Sequence, residues 1–459
     1  MRLQAADWGL FEQARACACD YMDQVYDRGV VPTGEAIGRL DLFDEPLPGA
    51  PGDPGEILRL LHECGSPATV AQTGGRYFGF VNGGTVPAAM AAQWLADVWD
   101  QNCALYVMSP IVSRLEVLCE RWLIDLLGLP SGTAAGFVSG TSVATMCGLA
   151  AGRNELLKRL GWDVTLKGLF GAPHLRVILG GQAHASVFKA LALLGFGREN
   201  IEEVPVDGQG RIDVAQMAEP DERTLLIAQA GNVSTGSFDP IDEICDRAGN
   251  SGAWVHIDGA FGLWAAASAG RRFLTRGIER ADSWSIDAHK TLNAPYDCGI
   301  VLCRDREALI GAMQAAGSYI QYSRERDGML YTPEMSRRAR AVELWATLKS
   351  LGKTGVEELV DGLCERAAQF AVELRAEGFH ILNDVVFNQV LVACDTQEET
   401  QATLAGIQES GECWCGGTVW NGRPAIRISV CSWATTAADV DLSVAAFVKA
   451  RARARVAGG

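Results

Sequence analysis

Between residues 85 and 350 short apolar runs alternate with longer amphipathic ones, and this alternation restricts the possible folds more than any other feature. RVILGG, IEEVPV, TLLIAQAG, AWVHID, DSWSID and CGIVLCRD read as strands, whereas TSVATMCGLAAGRNELLKRL, HASVFKALALLGFG and PIDEICDRAGNSG carry helical spacing. Strands apolar on both faces cannot leave one face in water, and intervening helices allow the next strand to run parallel. The pattern therefore predicts an α/β fold with a mainly parallel sheet covered on both sides.

The flanks differ. Residues 1 to about 42 read as an amphipathic helical arm, and DEPLPGAPGDPGE, rich in Pro and Gly, cannot continue a helix. Residues 1–84 are thus expected to be an arm and linker, and 85–350 the large domain. Two long helical stretches, SRRARAVELWATLKSLG and VEELVDGLCERAAQFAVELRAEG, lead to FHILND, NQVLVACD and RPAIRISVCSW. Residues 351–459 are expected to form a smaller α+β domain.

Charge and cysteine content remove several function classes. A net charge of −16 opposes nonspecific binding to nucleic acid or anionic membrane, and the basic tail KARARARV is too short to reverse it. No apolar run reaches the length that spans a bilayer, and the N-terminus lacks a signal-like apolar block, so a cytoplasmic location is expected. The fourteen cysteines lack zinc-like spacing with other ligands, even at Cys17/Cys19 and Cys413/Cys415. They read as reduced, mostly buried thiols, and no metal is expected.

Ligands of a parallel sheet collect beyond the carboxyl ends of its strands. FVSGTSVATM runs from a strand through Ser139 and Gly140 into a helix, where backbone N–H groups and the Thr141 and Ser142 hydroxyls suit an anion or an ordinary N-cap. GGQAHASVFKAL places His184 at a helix start, suited to stacking on a planar ring or to capping. WVHIDGAFG ends a strand in Asp258, a buried acid that needs a cation, a metal, a protonated ring nitrogen or a capping role. DSWSIDAHKTLNAPYDCG places Lys290 after His289. Inside an apolar fold its ammonium form loses solvation, which favours the nucleophilic amine. An anion cradle, a stacking imidazole, an acid for a ring nitrogen and a reactive lysine match the chemical parts of pyridoxal phosphate (PLP).

In this order the motifs resemble the type I, aspartate-aminotransferase-like PLP fold, and within it the group II amino-acid decarboxylases that include the aromatic amino acid and glutamate decarboxylases. The similarity runs from RYFGFVNGG through SPIVSRLE and WLIDLLGLP to SRRARAVELWATLKSLG and RISVCSWATT. It implies a mainly parallel seven-stranded sheet, a Schiff base on Lys290, and Asp258 at the pyridinium nitrogen. Thr141 and Ser142 would hold the phosphate with His289, and His184 would stack on the ring opposite Ala260. The chain departs from the aromatic decarboxylases at Gln229, where they carry Thr, at Asn232 and Val233, where they carry two Thr, and at Asp287, where they carry Asn. GSYIQYSRERDGMLYTPEMSRR is shorter than their lid, whose Tyr protonates the substrate carbon. Tyr331 is the first candidate for that acid and Tyr322 the second.

The resemblance implies a decarboxylase that turns an L-amino acid into its amine and carbon dioxide, with Arg427 as a carboxylate contact or a structural ion-pair residue. It also implies a homodimer, with Phe80 reaching the partner's site or packing in the core. The alternatives are a PLP aminotransferase, an aldehyde-forming oxidative decarboxylase, and a catalytically inactive PLP-fold binding protein.

Overall fold

A computed structural model describes residues 8–314 and 322–458. Its helices of eight or more residues are α1 (Trp8–Val25), α2 (Pro87–Trp99), α3 (Pro110–Leu127), α4 (Thr141–Arg159), α5 (Ala185–Leu193), α6 (Ile241–Ala248), α7 (Arg306–Met313), α8 (Ala341–Ala376), α9 (Gln397–Ser410) and α10 (Ala437–Gly458). The strands are β1 (Ala134–Val138), β2 (Arg176–Gly180), β3 (Ile201–Val204), β4 (Thr224–Gln229), β5 (Trp254–Asp258), β6 (Ser283–Asp287), β7 (Gly299–Cys303), β8 (His380–Ile381), β9 (Gln389–Ala393), β10 (Gly416–Trp420) and β11 (Arg423–Ser429).

The first seven strands form one sheet in the order β1-β7-β6-β5-β4-β2-β3, in which β7 alone runs against the others. Both faces are covered, and alternate residues of single strands enter different cores. Leu225 and Ile227 of β4 pack with α4, α5 and α7, whereas Leu226 and Ala228 pack with α3, α6 and α8. This is the mainly parallel, doubly covered sheet expected from sequence.

The arm is less continuous than expected. Helix α1 ends at Val25, and only short helical turns follow between residues 34 and 43. Gly29 and Pro32 lie in the break, where a flexible residue and a missing N–H both oppose helix. The two long helical stretches form α8, kinked at Gly352, whose φ of 61° leaves the helical region. A four-stranded antiparallel sheet, β10-β11-β9-β8, then packs against α8 and α10 through Phe370, Leu374, Val440 and Phe447.

Candidate active site

Strands β1, β4, β5 and β6 end on the same edge of the large sheet and carry polar residues to a cavity of about 400 Å³. Thr141, Ser142, His184, Gln229, Asp258, Ala260, Asp287, His289 and Lys290, nominated from sequence, all border it.

The β6 turn organises the charges. Lys290 Nζ lies 2.9 Å from Asp287 Oδ2, so the amine sits beside a carboxylate rather than in wholly apolar surroundings. Asp287 Oδ1 accepts the Thr141 N–H at 2.6 Å, which ties this turn to the start of α4. His289 Nδ1 accepts the Cys298 N–H at 3.1 Å, and its Nε2 lies 3.5 Å from Asp287 Oδ2. Burial pushes the His289 pKa down, against the pull of Asp287. The Tyr296 ring stacks on His289 with centroids 4.4 Å apart.

On β5, Asp258 is 4% exposed. It accepts the Ala260 N–H at 3.2 Å, and no ion pair reaches it among the described residues. Burial pushes its pKa up, although His184 and Lys290 oppose the shift. Behind it His256 bonds Ser283 at 2.8 Å and Ser285 at 3.3 Å, and Ser285 bonds Thr145 of α4 at 2.9 Å. This chain ties β5, β6 and α4 together. Burial pushes His256 down to about 3, so the ring is neutral.

His184 caps α5 by accepting the Ser186 N–H at 3.2 Å, while its ring borders the cavity. Although the cavity side is open, surrounding protein removes enough hydration to push its pKa down. At the end of β4 the Gln229 N–H donates to Asp239 at 2.7 Å. Burial pushes Asp239 up to about 7, a shift opposed by the N–H groups of Ile212 and Gln229.

The structure does not bring Tyr331 to the cavity. It is buried in the core beside β1, accepts a hydrogen bond from Arg306 Nη1 at 2.8 Å, and lies under the Arg326 guanidinium, 4.0 Å from its ring centroid. A phenol enclosed between two arginines cannot reach a substrate carbon. Tyr322 is exposed and does not border the cavity, and residues 317–321 of the expected lid lie outside the described residues. Phe80 borders its own chain's cavity, stacked on Trp414 at 5.4 Å. Arg427 has no carboxylate partner among the described residues. It donates to the Val233 carbonyl at 3.2 Å, and its Nε is buried without a partner.

Sequence reasoning missed Tyr296, which borders the cavity, and Asn293, both inside the quoted lysine motif. The available signal was their closeness to Lys290, but side-chain direction in a turn is not periodic.

Two observations test the fit to PLP. Asp258 is a buried acid bordering the cavity without a cation, as a ring-nitrogen partner requires. Thr141 Oγ1 is buried without a hydrogen-bond partner at the helix start beside the cavity, as a phosphate seat requires. A ligand that combines an aldehyde, a phosphate and a basic ring nitrogen answers both and gives Lys290 a reaction partner. With this sheet topology, the cavity has the features of the type I PLP fold.

Comparison with known proteins narrows the class. Residues 50–393 match the pyridoxal-dependent decarboxylase conserved domain, and the chain belongs to that family. It is 28% identical over 330 residues to the acidic amino acid decarboxylase GADL1 of Mus musculus, covering 69% of this chain and 59% of that protein. It is 27% identical over 362 residues to the aromatic-L-amino-acid decarboxylase of Bacillus atrophaeus, covering 76% of this chain and 73% of that one. The match thus spans less than two thirds of the mouse relative's length. The fold is shared with a crystal structure of Oryza sativa TDC with PLP and tryptamine, at TM-score 0.89 and 22% identity over 97% of both chains.

Proposed function

We propose that this chain is a PLP-dependent decarboxylase that converts an L-amino acid to its amine and carbon dioxide. The carrying observation is that Lys290 and the unpaired acid Asp258 border one cavity in a chain of this family. When bound, PLP supplies a ring that accepts the electron pair left by a breaking bond at the substrate α-carbon.

The chain's own residues divide the remaining work. Lys290 would hold the cofactor through its amine, and Asp258 would keep a proton at the pyridine nitrogen. His184, held by Ser186, would lie on one side of the ring and Ala260 on the other. Thr141 and Ser142 would hold the phosphate with His289 beside them, and Gln229 and Asp287 complete the wall of the cavity. Arg427, lacking an acidic partner, is the candidate contact for a substrate carboxylate. The phenol bordering the cavity belongs to Tyr296, which makes Tyr296 a better-placed proton donor than Tyr331.

The exposed apolar side chains Trp94, Leu95 and Val98 of α2, with exposed Val107 and Ile111 further along the chain, support a homodimer that covers them. No helix among the described residues is long and apolar enough to cross a membrane, and all fourteen cysteines are free. The free thiols support a cytoplasmic location. The kink at Gly352 supports a division near residue 350 between the large and C-terminal domains, after an arm and linker ending near 84.

The test is to incubate purified protein with PLP and a panel of amino acids while measuring carbon dioxide, amine, aldehyde and keto acid. Stoichiometric keto acid defeats the decarboxylase reading. Borohydride reduction and peptide mapping are expected to place the pyridoxyl group on Lys290, and an adduct on Lys189 or Lys349 instead overturns the site.

A further inference from the structure

Asn293 lies in the turn after Lys290, 0% exposed, at φ 58°. Its side-chain amide donates towards the carbonyl oxygens of Lys290 (3.2 Å), Thr291 (2.9 Å) and Cys431 (2.9 Å). Its Oδ1 accepts from the N–H groups of Gly84 (2.6 Å) and Trp433 (2.9 Å). The Asn293 main chain adds two more ties, donating to Lys290 O and accepting from Val86 N, both at 2.9 Å. One side chain thus joins three segments distant in sequence: residues 84–86, the lysine turn, and the chain just after β11. Asn suits this place because it tolerates the left-handed region and offers both donors and an acceptor. The fit around the turn is close, since a Cβ on Gly83 would collide with the carbonyl oxygens of Lys290 and His289.

These contacts converge on the main chain of the lysine itself. Two of the bonds, from the Asn293 main-chain N–H and from its side-chain amide, end on the Lys290 carbonyl. We propose that Asn293 is a positioning residue for Lys290, setting the lysine's main chain when residues 84–86 and 431–433 are seated on the turn. The inference rests on the reading of Lys290 as the cofactor carrier.

Asn293→Gly tests it, because glycine adopts the same φ without strain and removes only the side-chain bonds. Asn383→Ala is the control. Asn383 is another buried cross-tie, donating to Thr235 O (2.8 Å) and Gln389 O (3.0 Å) and accepting from Leu391 N (2.9 Å), that does not touch the lysine turn. PLP-loaded parent and variants are compared in urea midpoint, kcat and KM, cofactor loss on dialysis, and the pH midpoint of the visible band of the Lys290-bound cofactor. Misplacing a reacting group by about 1 Å costs up to about 10²-fold. Asn293→Gly is therefore expected to lower kcat about 10- to 100-fold with little change in KM, to shift the pH midpoint and to hasten cofactor loss. Asn383→Ala is expected to change only the urea midpoint.

Indistinguishable pH midpoints and kcat values for the two variants overturn the proposal. If Asn293→Gly does not fold, Asn293→Asp, which keeps the acceptor and the φ preference, is read by the same criteria. Failure of both to fold also overturns it, because the residue is then required for folding alone. A parent adduct on another lysine refutes the carrier reading, whereas a parent adduct on Lys290 with normal Asn293 variants refutes only the positioning role.

Discussion

Glu116→Gln probes the buried charges that hold β1, and hence the start of α4, in place. Glu116, on α3, is 1% exposed, with Oε2 2.8 Å from Arg326 Nε and Oε1 2.8 Å from Arg337 Nη2. Arg326 also reaches Glu120 Oε2 at 2.8 Å and the Ala135 carbonyl, Arg306 reaches Glu120 Oε1 at 2.6 Å, and Arg337 reaches the Phe137 carbonyl at 3.3 Å. Three arginines therefore share two carboxylates. Replacing Glu116 with a neutral amide turns an N–H towards one arginine and leaves Arg337 without a counter-charge. Breaking a buried pair from one side costs about 3–5 kcal/mol, a large part of the roughly 5–15 kcal/mol by which proteins are stable. Burial pushes the Glu116 pKa up, but Arg337 and Arg326 outweigh it and hold it below its ordinary value of 4.5. A depressed folded value stabilises the protein above that ordinary value, and the contribution is lost as pH falls through the folded one. Urea titration at neutral pH and again in acid measures both effects. Glu116→Gln is expected to lose the stated energy at neutral pH and to show a shallower acid dependence. A loss below about 1 kcal/mol, within the range of exposed pairs, would refute the account of the network.

Asp258→Asn is expected to keep bound cofactor while lowering kcat about 10²–10³-fold, the range for removing one preorganised electrostatic partner. Because burial raises the Asp258 pKa, its ionised form costs stability as pH rises above the ordinary carboxylate range, so the cofactor-free variant should unfold at no lower urea concentration at pH 7. Activity near the parent level would make Asp258 structural only. Tyr331→Phe removes the acceptor for Arg306 and is expected to cost about 0.5–1.5 kcal/mol while leaving amine output unchanged. A large fall in amine with cofactor binding and stability intact would return Tyr331 to the mechanism.

The sheet and much of its cavity were legible in sequence because period and burial carry them. Strand β5 is a largely apolar run ending in Asp258, so that acid could be placed at the sheet's edge from sequence, whereas Gln229 and Asp287 were singled out only through the resemblance to the decarboxylases. Tyr331 was misplaced for an equally physical reason. Its nearness to an expected lid said nothing of direction, and the arginines enclosing it, Arg306 and Arg326, lie elsewhere in the chain. Asn293 was invisible as a cross-tie because two of the segments it joins are far from it in sequence. Strand β10, with two exposed residues between buried ends, lacked the apolar run that identified β9 and β11.

The pairing of β1 bears on how the chain matures. Strand β1 bonds along its length to β7 and lies at the sheet edge, so its backbone groups await residues 299–303. Strands β2, β4, β5 and β6 can associate in parallel as the ribosome releases them, but the nascent chain must keep β1 from other partners until β7 emerges. The lysine turn waits longer still, for residues 431–433. Vectorial synthesis therefore completes the lysine turn only once residues 431–433 have emerged, and a nascent chain stopped before β11 would have strands for a sheet but an unfinished turn at Lys290.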